Sequence, residues 1–183
     1  LPTVTSKGRF GMVVPVTKEA IFFDRTGQVL QRAGDVGYWM GINKEKRIIK
    51  IATGVTNNFN RNGSASYTYK ASGGHGIVNS QTNALVDWTD LDETYALFAN
   101  MTDWNTGEPI IVMPTTLLVP HQLLTKAQYI LSSTQIRGGT SNTSAYQTVS
   151  VDPIKNIMPL TILTSPMVFA VTSESNDWWV GDF

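Results

Sequence analysis

The sequence predicts a protein of the α+β class, and three observations support this prediction. First, apolar residues recur every three or four positions between Gly27 and Thr53, which is typical of a long helix. Second, the stretch from Pro109 to Ser133 contains two short apolar runs followed by an amphipathic segment, which predicts strands and then a helix. Third, short runs of β-branched and aromatic residues near both ends of the chain are typical of strands.

Composition limits the classes of function. The 183 residues suffice for one sizeable core or for two modest layers. Fourteen basic residues balance fourteen acidic ones, which disfavours a dedicated nucleic-acid binder and suits a chain that packs against many copies of itself. The absence of cysteine excludes disulfides, thiolate catalysis and Cys-based zinc sites. Neither His75 nor His121 lies in a metal-binding motif, and no apolar stretch approaches the roughly 18 residues of a membrane span.

The first element lies between Lys7 and Asp24. Phe10, Met12, Val14 and Val16 share one parity, and residues 21–23 form a second apolar run. This pattern predicts the two strands of a projecting hairpin. An ordinary edge hairpin of a globular domain fits the same pattern equally well.

The second element is the long helix from about Gln28 to Thr53, with Gly54 predicted as the residue just beyond its end. Three glycines inside it, at positions 34, 37 and 41, each cost about 1 kcal/mol relative to alanine. Such a cost is tolerated where another backbone approaches or where the helix bends. The basic run from Lys44 to Lys50 fits a solvated face, with contact to phosphates as the alternative.

Between Val55 and Ala84 we expect a hairpin turning at Asn62-Gly63, followed by an exposed loop without a phosphate-binding motif. A second helix is predicted from Asp87 to Met101. Thr89 is its candidate N-cap and Asp92 follows three residues later. Capping and the helix dipole account for the carboxylates of this segment without a catalytic or metal-binding role. The inward face is predicted to carry Leu91, Tyr95, Phe98 and Met101.

The remaining elements follow from short apolar runs. The predicted strands are Ile110–Met113, Val149–Val151, Met158–Leu163, Val168–Val171 and Trp178–Val180, while Leu117–Val119 is a second apolar run after Pro114. Pro120 introduces a predicted helix from Gln122 to Leu131. The polar segment from Arg137 to Ala145 is predicted to be a loop.

Taken in order, these elements resemble the HK97-fold major capsid proteins of tailed bacteriophages and prophages. The resemblance rests on three segments: GRFGMVVPVTKEAIFFDRTGQVLQRAGDVGYWMGINKEKRI, NALVDWTDLDETYALFANMTDWNTGEPIIVMPTTLLVPHQLL and the closing DWWVGDF. It covers the chain from about Lys7 to Phe183. It implies an extended hairpin loop in residues 1–26, a peripheral domain with a long spine helix and a hairpin in 27–84, and a mixed α/β axial domain in 85–183. Members of the family are usually longer, so the chain is expected to be truncated at both ends.

The resemblance also implies a structural function. We expect a head protein that self-assembles into the hexamers and pentamers of an icosahedral shell around phage double-stranded DNA. The shell would form in the bacterial cytoplasm and belong to the virion, with scaffolding, portal or decoration proteins as further partners. An encapsulin-like compartment and a monomeric β-rich ligand-binding module are the alternatives. Motifs such as GxSxG are absent, and no enzymatic activity, cofactor, metal or membrane contact is expected.

Three groups of residues carry the expected contacts, two with other subunits and one with DNA. Subunit contacts through the extended loop are assigned to Phe10, Met12, Val14, Val16, Ile21, Phe22 and Phe23. A loop at the local symmetry axis is assigned to Arg137, Gly138, Gly139 and Thr140. Contacts of the inner face with DNA are assigned to Lys44, Lys46, Arg47 and Lys50. Some relatives are crosslinked through a Lys–Asn isopeptide bond, which leaves Lys7 and Lys18 as open candidates.

Overall fold

The computed structural model describes residues 11, 13, 15–23, 27–56, 59–61, 64–66, 68–69, 78–103, 106–133, 135–138, 148–151 and 158–183. The chain divides into two compact units, residues 1–66 and residues 67–183. Helices and strands are both present, in agreement with the α+β class. The three predicted domains, with boundaries at residues 26 and 84, stay a prediction.

Unit 1 contains the long helix that the apolar periodicity predicts. Helix α2 runs from Gln28 to Ala52 and follows Gly27, which has a left-handed φ of 68°. At the other end Gly54 has a φ of 73° and donates its N–H to the carbonyl of Ile51. A left-handed residue just beyond a helix satisfies carbonyls that would otherwise lack a donor, and glycine adopts this conformation without strain. The predicted end of the helix is therefore confirmed.

The second strand predicted for the N-terminal hairpin is wrong, because Lys18–Phe23 forms a short helix, α1. The N–H of Ile21 donates to the carbonyl of Thr17 at 3.2 Å. The residues that start the helix explain the error: Lys18, Glu19 and Ala20 all favour helix, and Glu19 complements the positive end of the helix dipole. A three-residue apolar run following such a start cannot be assigned to a strand by its hydrophobicity. The first predicted strand falls largely outside the described residues.

The last element of unit 1 along the chain is a short hairpin. Strand β1 (Phe59–Arg61) pairs antiparallel with β2 (Ser64–Ser66), with Arg61 opposite Ser64. This register leaves two residues for the turn, at the Asn62-Gly63 position where the sequence predicts it. The hairpin is confirmed, and the turn residues themselves lie outside the described part of the chain.

Unit 2 is built on a three-stranded sheet with the order β6-β3-β7. The central strand β3 (Thr116–Val119) pairs parallel with β6 (Thr161–Thr164) and antiparallel with β7 (Trp179–Gly181). Among the described residues of this unit, the helices are α3 (Trp88–Ala99), α4 (Leu124–Ser132), which a 3₁₀ turn at His121–Leu123 precedes, and α5 (Pro166–Thr172). A separate hairpin is formed by β4 (Gln135–Gly138) and β5 (Thr148–Val151).

The core of unit 2 lies between this sheet and helices α3 and α4. Its buried members are Leu85, Leu91, Leu117, Val119, Leu123, Ala127 and Ile130, and Trp88 and Trp178 pack against them. The indole N–H of Trp178 donates to the carbonyl of Asn83 at 2.9 Å, which satisfies the polar atom of a partly buried ring. Leu118, of opposite parity to Leu117, is 3 % exposed, so both faces of β3 are covered. This explains why the strand is a continuous apolar run.

The start of α3 differs by two residues from the prediction. Asp87 is the N-cap, not Thr89. Its carboxylate accepts from the backbone N–H of Thr89 at 2.8 Å, while the carboxylate of Asp90 accepts from the N–H of Asp87 at 3.0 Å. This reciprocal pair is a capping box with aspartate at both positions. The predicted inward face is supported, since Leu91 is buried and the other three residues are half-buried.

Three further assignments are corrected. Ile110–Met113 is not a strand, since the strand begins at Thr116. Residues 168–171 lie in helix α5, which Ser165 caps by accepting from the N–H of Met167 at 3.1 Å and which starts at Pro166. The segment predicted as a loop from Arg137 begins as a strand, because Arg137 and Gly138 belong to β4. Strands β5 and β7 agree with the sequence prediction, and β6 overlaps it only in part.

Candidate assembly surfaces

Four residues of the predicted extended-loop contact are described, and all four are exposed. Val16 precedes α1 and is 38 % exposed; within α1, Ile21, Phe22 and Phe23 are 64 %, 88 % and 78 % exposed. Consecutive helical residues point in directions roughly 100° apart, so the three apolar side chains of α1 surround the helix instead of sharing a face. Phe10, Met12 and Val14 lie outside the described residues.

Helix α2 presents an exposed apolar stripe. Met40, Ile48 and Ile51 are 47 %, 56 % and 46 % exposed, although residues of this type are usually buried. At roughly 100° per residue these three side chains lie within about 80° of each other. The side that is buried or half-buried carries Ile42, Lys46, Ile49 and Thr53 and lies on the far side of the helix.

The predicted basic contacts do not form a single face. Lys44 and Arg47 are exposed and lie on the same side of α2 as the apolar stripe. Lys46 and Lys50 are half-buried, and Lys46 points to the opposite side. The structure therefore places Lys44 and Arg47 on one side of α2 and Lys46 on the other.

The glycines at positions 34, 37 and 41 lie on exposed parts of α2. A Cβ added to any of them would meet no atom within 4 Å. Close packing within the described part of the chain is therefore not the reason for these glycines. Beside them lie Tyr38 and Trp39, whose rings meet edge to face with centroids 6.2 Å apart and which are both exposed.

The segment Ile110–Met113 is a second exposed apolar surface, and sequence reasoning missed its exposure. Ile111 is 92 % exposed and Met113 is 64 % exposed. The N–H of Ile110 donates to the carbonyl of Met101 at 2.8 Å. The pairing does not continue beyond Ile110, because the residues that precede Met101 form the C-terminal end of helix α3. The segment leaves its partner at Ile110 and reaches the sheet at Thr115, whose N–H donates to the carbonyl of Gly181.

The predicted symmetry-axis loop is described only at its start. The backbones of Arg137 and Gly138 pair with Val149 and Thr148 in the β4–β5 hairpin. Gly139 and Thr140 lie outside the described residues. The antiparallel pairing shows that the segment between β4 and β5 joins two adjacent strands, which is the expected position of a hairpin loop.

Among the described residues, no group of three or more His, Cys, Asp or Glu side chains is arranged to hold a metal ion. Burial raises the pKa of the Tyr69 phenol, which lies in no such group. Within the same part of the chain, no helix has the length and apolar character needed to cross a lipid bilayer.

Comparison with known proteins gives one informative result. A protein-family model described as phage capsid protein matches residues 2–183, which is nearly the whole chain. No curated protein and no solved structure matches the chain significantly.

Proposed function

The chain belongs to the phage capsid protein family, and on this basis we propose that it is the major head protein of a tailed phage. A capsid family is a family of structural proteins, and membership implies self-assembly in a shell and a place in the virion. The proposal adds the finer details: hexamers and pentamers, an icosahedral shell of the HK97 type, and double-stranded DNA enclosed in it. The family match over residues 2–183 is the observation that carries this conclusion.

The distribution of exposed apolar residues supports an obligate assembly. Phe22 in unit 1 and Ile111 in unit 2 are each about nine-tenths exposed, and both belong to longer apolar runs. Monomeric proteins rarely expose contiguous apolar segments of this kind, and larger exposed patches mark interaction sites. Burial between copies would remove these side chains from water, and each fully buried Ile or Phe contributes about 1.5–3 kcal/mol.

We propose that the segment containing α1 lies over a neighbouring subunit. The helical form of Lys18–Phe23 changes the expected type of contact from paired strand edges to a short helix that inserts aromatic side chains into a groove. Val16, Ile21, Phe22 and Phe23 are the described residues assigned to this contact. Phe10, Met12 and Val14 remain assigned by the sequence alone.

The β4–β5 hairpin is proposed to meet its symmetry mates at the local axis of each capsomer. Arg137 and Gly138 belong to strand β4 of this hairpin, which pairs with β5. Small polar residues dominate the segment between β4 and β5, and such residues pack closely where several copies converge. Each contact is weak by itself, and many repeated contacts add through multivalency.

Negative-stain electron microscopy and sedimentation of the purified chain test this function. Closed shells, or rings of five and six subunits, would support it, and a compact monomer of about the chain's 20.1 kDa mass under all conditions would contradict it. Shells recovered from cells would be treated with nuclease: protected double-stranded DNA favours a virion, whereas protein cargo favours an encapsulin-like compartment.

A matched pair of variants in α1 tests the proposed contact. Phe22→Ser removes an 88 % exposed aromatic ring, so it should leave the fold intact and weaken assembly. Glu19→Gln changes an exposed polar residue on the same helix without removing apolar surface and serves as the control. Equal assembly of both variants would remove α1 from the interface and leave the capsid assignment standing.

A further inference from the structure

The two units of this neutral chain carry opposite net charges. Unit 1 has ten Lys or Arg and four Asp or Glu, a formal charge of +6; unit 2 has four Lys or Arg and ten Asp or Glu, a formal charge of −6. The overall neutrality therefore does not come from evenly mixed charges. Two copies that meet through unlike units attract each other, whereas contacts between like units are repulsive.

In unit 1, positively charged side chains and exposed apolar side chains share one face of α2. Lys44 and Arg47 lie among Met40, Ile48 and Ile51, and all five side chains are exposed. We call these five residues the α2 face. Its combination of two cations and three large apolar side chains defines what a complementary partner must offer: carboxylates next to apolar groups.

In unit 2, exposed acidic and exposed apolar residues lie in two connected segments, α3 and residues 108–113. Residues 71–125 contain six Asp or Glu and no Lys or Arg. Asp92 and Glu93 are exposed on α3, and Glu108 is exposed directly before the segment Ile110–Met113. The backbone of Asp103 and Glu108 is paired, which holds this segment at the C-terminal end of α3. We call α3 and residues 108–113 the acidic face.

We propose that the α2 face of one copy docks on the acidic face of a second copy. The inference rests on the proposed function and assigns the surfaces that join neighbouring subunits. Because the two faces differ, the contact is head-to-tail, and repetition of a head-to-tail contact with suitable rotation closes a ring. A ring is the form that hexamers and pentamers of a shell require.

A second copy fits the α2 face better than DNA does. Phosphate groups would pair with Lys44 and Arg47 but would leave Met40, Ile48 and Ile51 without an apolar partner. The acidic face supplies both components, since Glu108 adjoins Ile110, Ile111 and Met113. The open space beside the glycines of α2 also leaves room for close approach by another backbone.

Charge reversal tests the inference. Variant A carries Lys44→Glu and Arg47→Glu, and variant B carries Asp92→Lys and Glu108→Lys. These positions are exposed, and none of them is Asp87 or Asp90 of the capping box. Each variant alone brings like charges together, so assembly should need at least about tenfold more protein, given that such juxtaposition costs several kcal/mol.

An equimolar mixture of A and B should restore assembly, because the reversed face of A meets the reversed face of B. The mixture must alternate A and B around a ring, so six-membered rings should form and five-membered rings should not. A chain that carries all four substitutions should assemble with both ring sizes, which controls for misfolding. Sedimentation and class averages from electron microscopy give the readout.

The outcomes separate the inference from the proposed function. Variants A and B that assemble like the wild type would overturn the docking surfaces and leave the capsid function intact. Recovery in the four-substitution chain but not in the mixture would also overturn the inference, since the attraction would then lie within one chain. Variant A shells that assemble normally but lose DNA would assign the α2 face to DNA instead. A wild-type chain that never assembles would overturn both proposals.

Discussion

Replacement of Leu91 by alanine tests whether α3 is held by the core of unit 2. Leu91 lies on the inward face of the helix, is fully buried and belongs to the main hydrophobic cluster. Leu91→Ala removes three carbon atoms from a packed interior and leaves a cavity, so we expect a loss of about 3–4 kcal/mol in the free energy of unfolding of unit 2. Alanine favours helix at least as strongly as leucine, so the loss reflects packing alone.

Leu163→Ala is the matched control. Leu163 lies on strand β6 and is 47 % exposed, so the same chemical change should cost about 1 kcal/mol or less. Urea unfolding of the unassembled chain, followed by tryptophan fluorescence and by hydrogen exchange at α3, measures both losses. Trp88 and Trp178 pack against the cluster that contains Leu91, so their emission reports on this unit.

The reasoning would be refuted by equal losses for Leu91→Ala and Leu163→Ala. It would also be refuted if Leu91→Ala left hydrogen exchange at α3 unchanged, because the helix would then owe nothing to that contact. A large loss of protection against hydrogen exchange that is confined to α3, with the β4–β5 hairpin unaffected, would support the position of Leu91 in the cluster that holds α3.

Four further predictions concern local structure. Asp87→Ala removes the capping box and should cost about 1 kcal/mol, with faster hydrogen exchange in the first turn of α3 than in the control Asp92→Ala. Gly54→Ala forces a side chain into a φ of 73° and should lower the melting temperature, whereas Gly37→Ala in the open part of α2 should raise it; effects of the same sign would contradict this account. Trp178→Phe keeps a ring but loses the bond to Asn83, at a cost of about 1 kcal/mol that the control Trp179→Phe should not show. Burial raises the pKa of Tyr69 above that of an unfolded tyrosine, so the stability from the buried neutral phenol is complete below pH ~10 and is lost as the pH rises further. Tyr69→Phe should therefore reduce the alkaline loss of stability, and an unchanged pH profile would argue against burial of the phenol.

Long periodic patterns were predicted well from the sequence. The 25 residues of α2 repeat the helical spacing many times, and Gly54 marks the end, so both were assigned correctly. Short apolar runs were not. Ile21–Phe23 and Val168–Val171 look like strands by composition, yet both are helical. The residues in front of them, Lys18 to Ala20 and the Ser165-Pro166 pair, carried the information that decides between the two structures.

The exposure of apolar residues could not be predicted from local sequence. Leu118 and Ile111 lie seven positions apart in similar apolar runs, yet Leu118 is 3 % exposed and Ile111 is 92 % exposed. The difference arises from distant partners: β6 and β7 flank Leu118, while the pairing next to Ile111 stops at the C-terminal end of α3. The charge contrast between the units was present in the sequence, but it became visible only once the boundary at residue 66 was known.

The topology of the sheet sets an order of events during synthesis. Strand β3 cannot complete its pairing until β6 and β7 have left the ribosome, because both partners follow it at long sequence separation. The elements of unit 1 are local and are synthesised first. The residues of the acidic face are therefore synthesised before the sheet of their unit is complete. We expect association between neighbouring chains on one messenger to await closure of the sheet, because the acidic face is held in place only then.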